Sequence, residues 1–190
     1  QGRFMRTPST LTPIFAAVLS IVVAACATEP KITPVHGADL SGRREDAETL
    51  SKLTSMAIDA AALYREAYGR ATDAPLKDEL SRLAAARDQV ASTLQLKSQE
   101  IGVKPEEKGQ PTGARERVFA KISGAISEKN RAAASDAFDA EDAFARALQE
   151  AVNDPYLNSD VKAALQRVLP GVESDRDRIR DFARHYGAAL

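Results

Sequence analysis

The sequence predicts an all-α fold, a four-helix bundle preceded by a short targeting segment. Three observations carry that prediction. Aromatic residues make up 5% of the 190 positions and Trp is absent, while 28% of the residues are charged and Ala is abundant. That mix suits helices with small interdigitating side chains. Apolar residues recur at steps of three and four through four successive stretches. No sustained β-branched alternation occurs, and no hairpin dipeptide sits between apolar runs.

The chain opens with a targeting pattern. Met5 is the expected start, followed by a basic residue, Arg6, and an apolar run from Ile14 to Ala25. The run is short for a membrane span, which needs ~20 residues, and fits the apolar region of a secretory signal over 1–25. Its end, Val23-Ala24-Ala25-Cys26, resembles the lipobox of bacterial lipoproteins. The resemblance implies cleavage before Cys26 and acylation of its thiol and new amino group. Ala27, which is not Asp, implies sorting to the outer membrane. Cys26 is the single cysteine, so no intrachain disulfide and no cysteine-pair metal site is expected. Residues 26–44 carry Pro30, Pro34, Gly37, Ser41 and Gly42 without apolar period, the composition of a flexible tether.

The bundle is expected over residues 45–187. The first helix runs from about Glu45 to Ala71 with Leu50, Leu53, Ala57, Ala60, Tyr64 and Ala67 inward. Thr72-Asp73-Ala74-Pro75 stops it and starts the next helix, with Asp73 or Thr72 as cap. The second helix spans Leu76 to Ile101, with Leu76, Leu80, Leu83, Val90, Leu94 and Ile101 on its stripe, and Gly102 placed as a stop. The third covers about Glu128 to Val152, with Ala134, Phe138, Phe144, Ala145, Leu148 and Val152 inward. Asn153-Asp154-Pro155 breaks it, and Asn158 or Ser159 caps the fourth. That helix carries Val161, Leu165, Val168, Val172, Ile179, Phe182 and Tyr186, with a kink expected at Pro170.

Two tight hairpins are thus joined by a long crossover. It begins with a loop over 103–113 and continues as a short amphipathic helix, Ala114 to Ile126, roughly 20 Å long. That is enough to carry the chain along the bundle, which is the ferritin-like arrangement. The segments Asp59–Ala67, Leu83–Gln89, Ala140–Ala143 and Asp177–Arg180 resemble an uncharacterised bacterial family of ferritin-like four-helix bundles. The loop Gly102-Val103-Lys104-Pro105-Glu106 is similar too. The resemblance covers about Leu50 to Arg184. It implies the fold and carries over no catalytic residue.

Di-metal ferritin-like proteins use a Glu from each of two helices and Glu-x-x-His from each of the other two. No Glu-x-x-His occurs in this sequence. A degenerate carboxylate site would have to use Glu66, Glu141 and Glu173, so no cofactor is expected. Arg87 falls in the apolar stripe of the second helix, and Glu141 in that of the third. Counting outward from the turns, Asp59, Arg87, Glu141 and Asp175 or Arg176 lie at similar heights. They predict a mid-bundle ion-pair layer that fixes helix register.

Other chemistry is poorly served. The glycines are isolated, so no phosphate-cradling loop is present. His185 lies near the C-terminus with no strand framework for a hydrolase triad. The net charge is −1 with signs interspersed, which disfavours nucleic acid. The expectation is a non-enzymatic, lipid-anchored envelope protein facing the periplasm, a membrane-tethered interaction or maintenance module with an envelope protein as partner. Two rivals remain: a metal-binding or redox bundle, and a membrane-active protein. The second would use Val118, Phe119, Ile122 and Ile126 of the crossover helix against lipid.

Overall fold

The computed structural model describes residues 37–109 and 126–190. They form four helices: α1 (Gly37–Arg70), α2 (Ala74–Glu100), α3 (Ile126–Asn153) and α4 (Ser159–His185). The signal segment, Cys26 and the expected crossover helix, apart from Ile126, lie outside the described residues.

The helix ends follow local chemistry. Asp73 caps α2, its Oδ2 accepting from the Leu76 N–H at 3.3 Å, and Pro75 lies where a missing N–H costs nothing. Asn158 caps α4 by accepting from the Asp160 N–H at 2.9 Å. Both α2 and α4 end on a glycine in the left-handed region, Gly102 at φ 76° and Gly187 at φ 75°. There the Val103 N–H closes on the Ser98 carbonyl, and the Ala188 N–H on that of Ala183, each at 2.9 Å.

One expectation needs correction. α1 begins at Gly37, so residues 37–44 are helix and not tether. The stretch has no apolar period, which hid it. Its end is nevertheless held by the exposed Arg44–Glu48 pair at 2.8 Å and by Asp46, which is buried and accepts from the Asn158 N–H at 2.9 Å. Pro170 lies inside α4, which continues through it from Ser159 to His185. Pro170 and Gln166 are both exposed, so the carbonyl that the proline leaves unpaired faces water.

Cross-links between helices fix the topology. Thr72 at the end of α1 meets Asn130 near the start of α3, whereas Asp46 near the start of α1 meets Asn158 just after α3. α1 and α3 are therefore antiparallel. By the same logic Asp73 with Tyr186, and Arg87 with Asp175, make α2 and α4 antiparallel. It follows that α2 and α3 run in the same direction. The connection between them has to climb the bundle, about 40 Å for helices of this length.

The described start of that connection makes the climb along α1. Ser51 Oγ donates to Glu106 Oε2 at 3.2 Å, and Ser55 Oγ to the Lys108 carbonyl at 3.3 Å. Gly109 then lies against the Asp59 carboxylate, so that a Cβ there would come within 1.9 Å of Oδ1. Ser51, Ser55 and Asp59 are spaced one helical turn apart. From α2, Gln95 Nε2 donates to the Glu106 carbonyl at 2.7 Å.

The core falls into two apolar clusters, each drawing on all four helices. One gathers Leu50, Leu53, Leu94, Phe144, Leu148 and Leu165. The other gathers Tyr64, Leu76, Leu80, Leu83, Ala137 and Ile179. On α2, α3 and α4 the break between them falls at Arg87, Glu141 and Asp175.

Candidate functional site: a charged layer across the bundle

Each helix contributes one polar side chain at a core position. Tyr64 stands between Ala60 and Ala67, and Arg87 one turn after Leu83. Glu141 lies between Ala137 and Phe144, and Asp175 between Val172 and Ile179. The steps of three and four aim all four inward. Arg87 is 1% exposed and Glu141 0%.

The guanidinium of Arg87 bridges two helices of the opposite hairpin. Its Nη2 donates to Asp175 Oδ2. Its Nε lies 3.2 Å from Glu141 Oε1, within ion-pairing distance but off the line of a hydrogen bond. Tyr64 Oη donates to the same Oε1 at 2.8 Å. The Phe144 ring lies beneath the guanidinium, its centroid 5.4 Å from Cζ. Glu141 Oε2 and Arg87 Nη1 are buried without a hydrogen-bond partner among the described residues.

From Asp175 the charges continue outward along the α2–α4 seam. Asp175 Oδ1 is 2.8 Å from Arg82 Nη1. Arg82 grips Glu79 with both Nε and Nη2, and Arg178 Nη2 reaches Glu79 Oε2 at 2.6 Å. Signs therefore alternate from the axis to the rim. Burial lifts the Glu141 carboxyl to about 7; Arg87 and the Tyr64 hydrogen bond oppose this, and Asp175 adds to it. Burial also pushes the Tyr64 hydroxyl well above its ordinary range, with the Glu141 charge adding. For Glu79, burial acts upward but the hydrogen bonds and charges of Arg82 and Arg178 win, and its carboxyl is held below its usual value.

The layer holds Arg87, Glu141 and Asp175 but neither Asp59 nor Arg176. Asp59 sits beside the Ala57–Ala60 stripe and faces Gly109 of the connection. Arg176 flanks the stripe and pairs with its neighbour Asp177 at 3.2 Å. The carboxylates of the degenerate metal arrangement are not brought together. Glu66 is exposed, Glu173 is half-buried, and Glu141 is engaged by Arg87 and Tyr64. Among the described residues, no group of three His, Cys, Asp or Glu is arranged to hold a metal ion.

Sequence reasoning missed the hydroxyl of Tyr64 and the outer limb of the layer. A buried Tyr needs a partner for its O–H, which was the available signal. Glu79 lies one turn from both Leu76 and Leu83, and Arg82 follows it at i+3, a spacing that brings the pair together. A further interhelical pair, Arg70 with Asp136 at 3.7 Å, joins α1 to α3. Burial raises the Asp136 carboxyl to about 6, with Asp139 and Glu66 adding and Arg70 opposing.

Fold and site together define a four-helix bundle whose core is cut by a buried ion-pair layer, with one crossover between its hairpins. The sequence profile of the family described as "Domain of unknown function (DUF2383)" matches residues 45–154, and the chain belongs to that family. The match takes in Tyr64, Arg87 and Glu141 and stops before α4. No curated protein matches the chain.

Proposed function

We propose that this chain is a lipid-anchored protein of the bacterial envelope, held through Cys26 in the outer membrane and facing the periplasm. Its ferritin-like bundle serves there as a non-enzymatic interaction or maintenance module. The observation that carries the non-enzymatic part is the seat of Arg87 between Glu141 and Asp175. Ferritin-like di-metal proteins aim their carboxylates and imidazoles at the bundle interior. Here a fixed cation already occupies that place and engages the carboxylates. A divalent ion would have to sit beside a guanidinium, against Coulomb repulsion. The ferritin-like assignment is supported by the parallel run of α2 and α3 and by the climb of the connection along α1. The anchor is supported by Val23-Ala24-Ala25-Cys26 and its resemblance to a lipobox. No described helix is long and apolar enough to cross a membrane.

The test has two arms. Cells expressing the chain are labelled with radioactive palmitate. Label in the wild type that is lost in Cys26→Ser supports the anchor, and an unlabelled wild type removes it. Purified protein is then incubated anaerobically with iron(II) and manganese(II), and bound metal is measured. Less than a tenth of an equivalent supports the reading. One or two equivalents that disappear in Glu141→Ala would replace it with a storage or oxidase role.

A further inference from the structure

The trio at the bundle centre does not balance its own charge. Arg87 brings one positive charge against two carboxylates, Glu141 and Asp175. The nearest further cation, Arg82, stands at the rim with its side chain 36% exposed, and it divides itself between Asp175 and Glu79. Arg178, further out, serves Glu79. From α1 the group facing Glu141 is Tyr64, a neutral donor. On its own helix the Phe144 ring closes the site beneath Arg87.

The two carboxylates are not equally served. Both oxygens of Asp175 meet a guanidinium, Oδ2 from Arg87 and Oδ1 from Arg82. Glu141 receives Arg87 and Tyr64 on one oxygen, Oε1, while Oε2 is buried and meets no donor among the described residues. An ionised carboxylate places half its charge on that oxygen. In a buried setting this is the costlier arrangement, and a proton on Oε2 removes the charge.

We propose that Glu141 is a proton-binding site that makes the bundle's central layer a pH-responsive joint between its two apolar clusters. With a solvent proton on Oε2, Arg87 and Asp175 remain as a balanced pair and the layer is closed. When that proton returns to solvent, the layer carries an excess negative charge. It relaxes by admitting water or by loosening the contact of α3 with α2. The raised proton affinity of the carboxyl, driven first by burial, agrees with this. The inference concerns the bundle alone and does not depend on acylation of Cys26.

The test is a carboxyl-carbon NMR titration of the full chain in detergent, with glutamate labelled selectively, between pH 4 and 9. One resonance is expected to titrate near neutrality and to be missing in Glu141→Gln. In Asp175→Asn, Arg87 answers to Glu141 alone, and the midpoint is expected to fall by at least one pH unit. This second variant keeps the test open where Glu141→Gln folds poorly. The proposal is overturned if every glutamate has finished titrating by pH 5. It is equally overturned if the near-neutral resonance persists in Glu141→Gln, or if the midpoint stays put in Asp175→Asn.

Discussion

Arg87 Nε lies 3.2 Å from Glu141 Oε1, and the two side chains are 1% and 0% exposed. The pair joins α2 of the first hairpin to α3 of the second, and Asp175 on α4 extends it. The contact therefore sets how the two hairpins meet. A slip of α3 by one turn would place an apolar side chain such as Ala137 or Ala145 against Arg87, with Glu141 left without its cation. Such ions are weak sources of net stability, but a register lacking the pair is strongly penalised.

Removing one partner should therefore cost far more than removing all. Arg87→Ala leaves the buried Glu141 without a cation and Asp175 with Arg82 alone, and is expected to destabilise the bundle by about 3–5 kcal/mol. Replacing the trio with apolar residues, Arg87→Met with Glu141→Leu and Asp175→Leu, should recover most of that loss. Urea denaturation followed by circular dichroism measures both.

Stability should rise as pH falls from 8 towards 5. The folded Glu141 carboxyl titrates at about 7 against an ordinary value of 4.5. Between those values the folded chain holds a proton that the unfolded chain has released. The stabilising contribution is complete below the unfolded value and is lost as pH rises through the folded one. The full swing is on the order of 3 kcal/mol. Asp136, raised to about 6, adds a smaller change of the same sign. Glu79, held low, acts oppositely, and its contribution disappears only in acid. Melting temperatures across this range should climb on acidification in the wild type and climb less in Glu141→Gln, where the rise left is the one that Asp136 supplies.

The connection should depend on Gly109. An added Cβ would lie 1.9 Å from Asp59 Oδ1 and 2.7 Å from its Cγ, so in Gly109→Ala the Asp59 carboxylate has to swing away from the segment. The expected loss is about 0.5–1.5 kcal/mol. Adding Asp59→Ala frees the space, and the double variant should lose less than the two single losses summed. Chemical denaturation of all four proteins checks this.

Asn130 holds the turn between α1 and α2 onto α3. Its Oδ1 accepts from the backbone N–H of Thr72 at 2.8 Å and from that of Asp73 at 3.3 Å. Asn130→Ala removes the acceptor of both donors, which lie near the surface, and is expected to cost about 0.5–1.5 kcal/mol. Hydrogen exchange should quicken first at Thr72 and Asp73, ahead of the centre of α2.

The four helices were legible because their apolar steps are regular and their caps are chemically marked. Asp73, Gly102 and Asn158 stand where the chain changes direction. Arg87 and Glu141 were legible as charges on apolar stripes. Counting from the turns left Asp175 and Arg176 level; the packing resolves them, because Asp175 sits three residues after Val172 and four before Ile179. Asp59 misled because height alone does not give direction, and its side chain is spent on the connection. The start of α1 was hidden because charge pairs such as Arg44–Glu48 sustain a helix without any apolar period. The outer limb through Glu79, Arg82 and Arg178 was hidden because these residues flank the stripe, where charge ordinarily means solvent.

The most direct test of the layer is a double-mutant cycle between Arg87 and Glu141, using Arg87→Met, Glu141→Leu and the double variant in urea unfolding at pH 8. If the layer is one coupled unit joining the two hairpins, the pair should show a coupling of about 2 kcal/mol or more, with the double variant more stable than the singles predict. Losses that add to within about 0.5 kcal/mol would mean that Arg87 and Glu141 are merely buried at the same height, and would contradict the account.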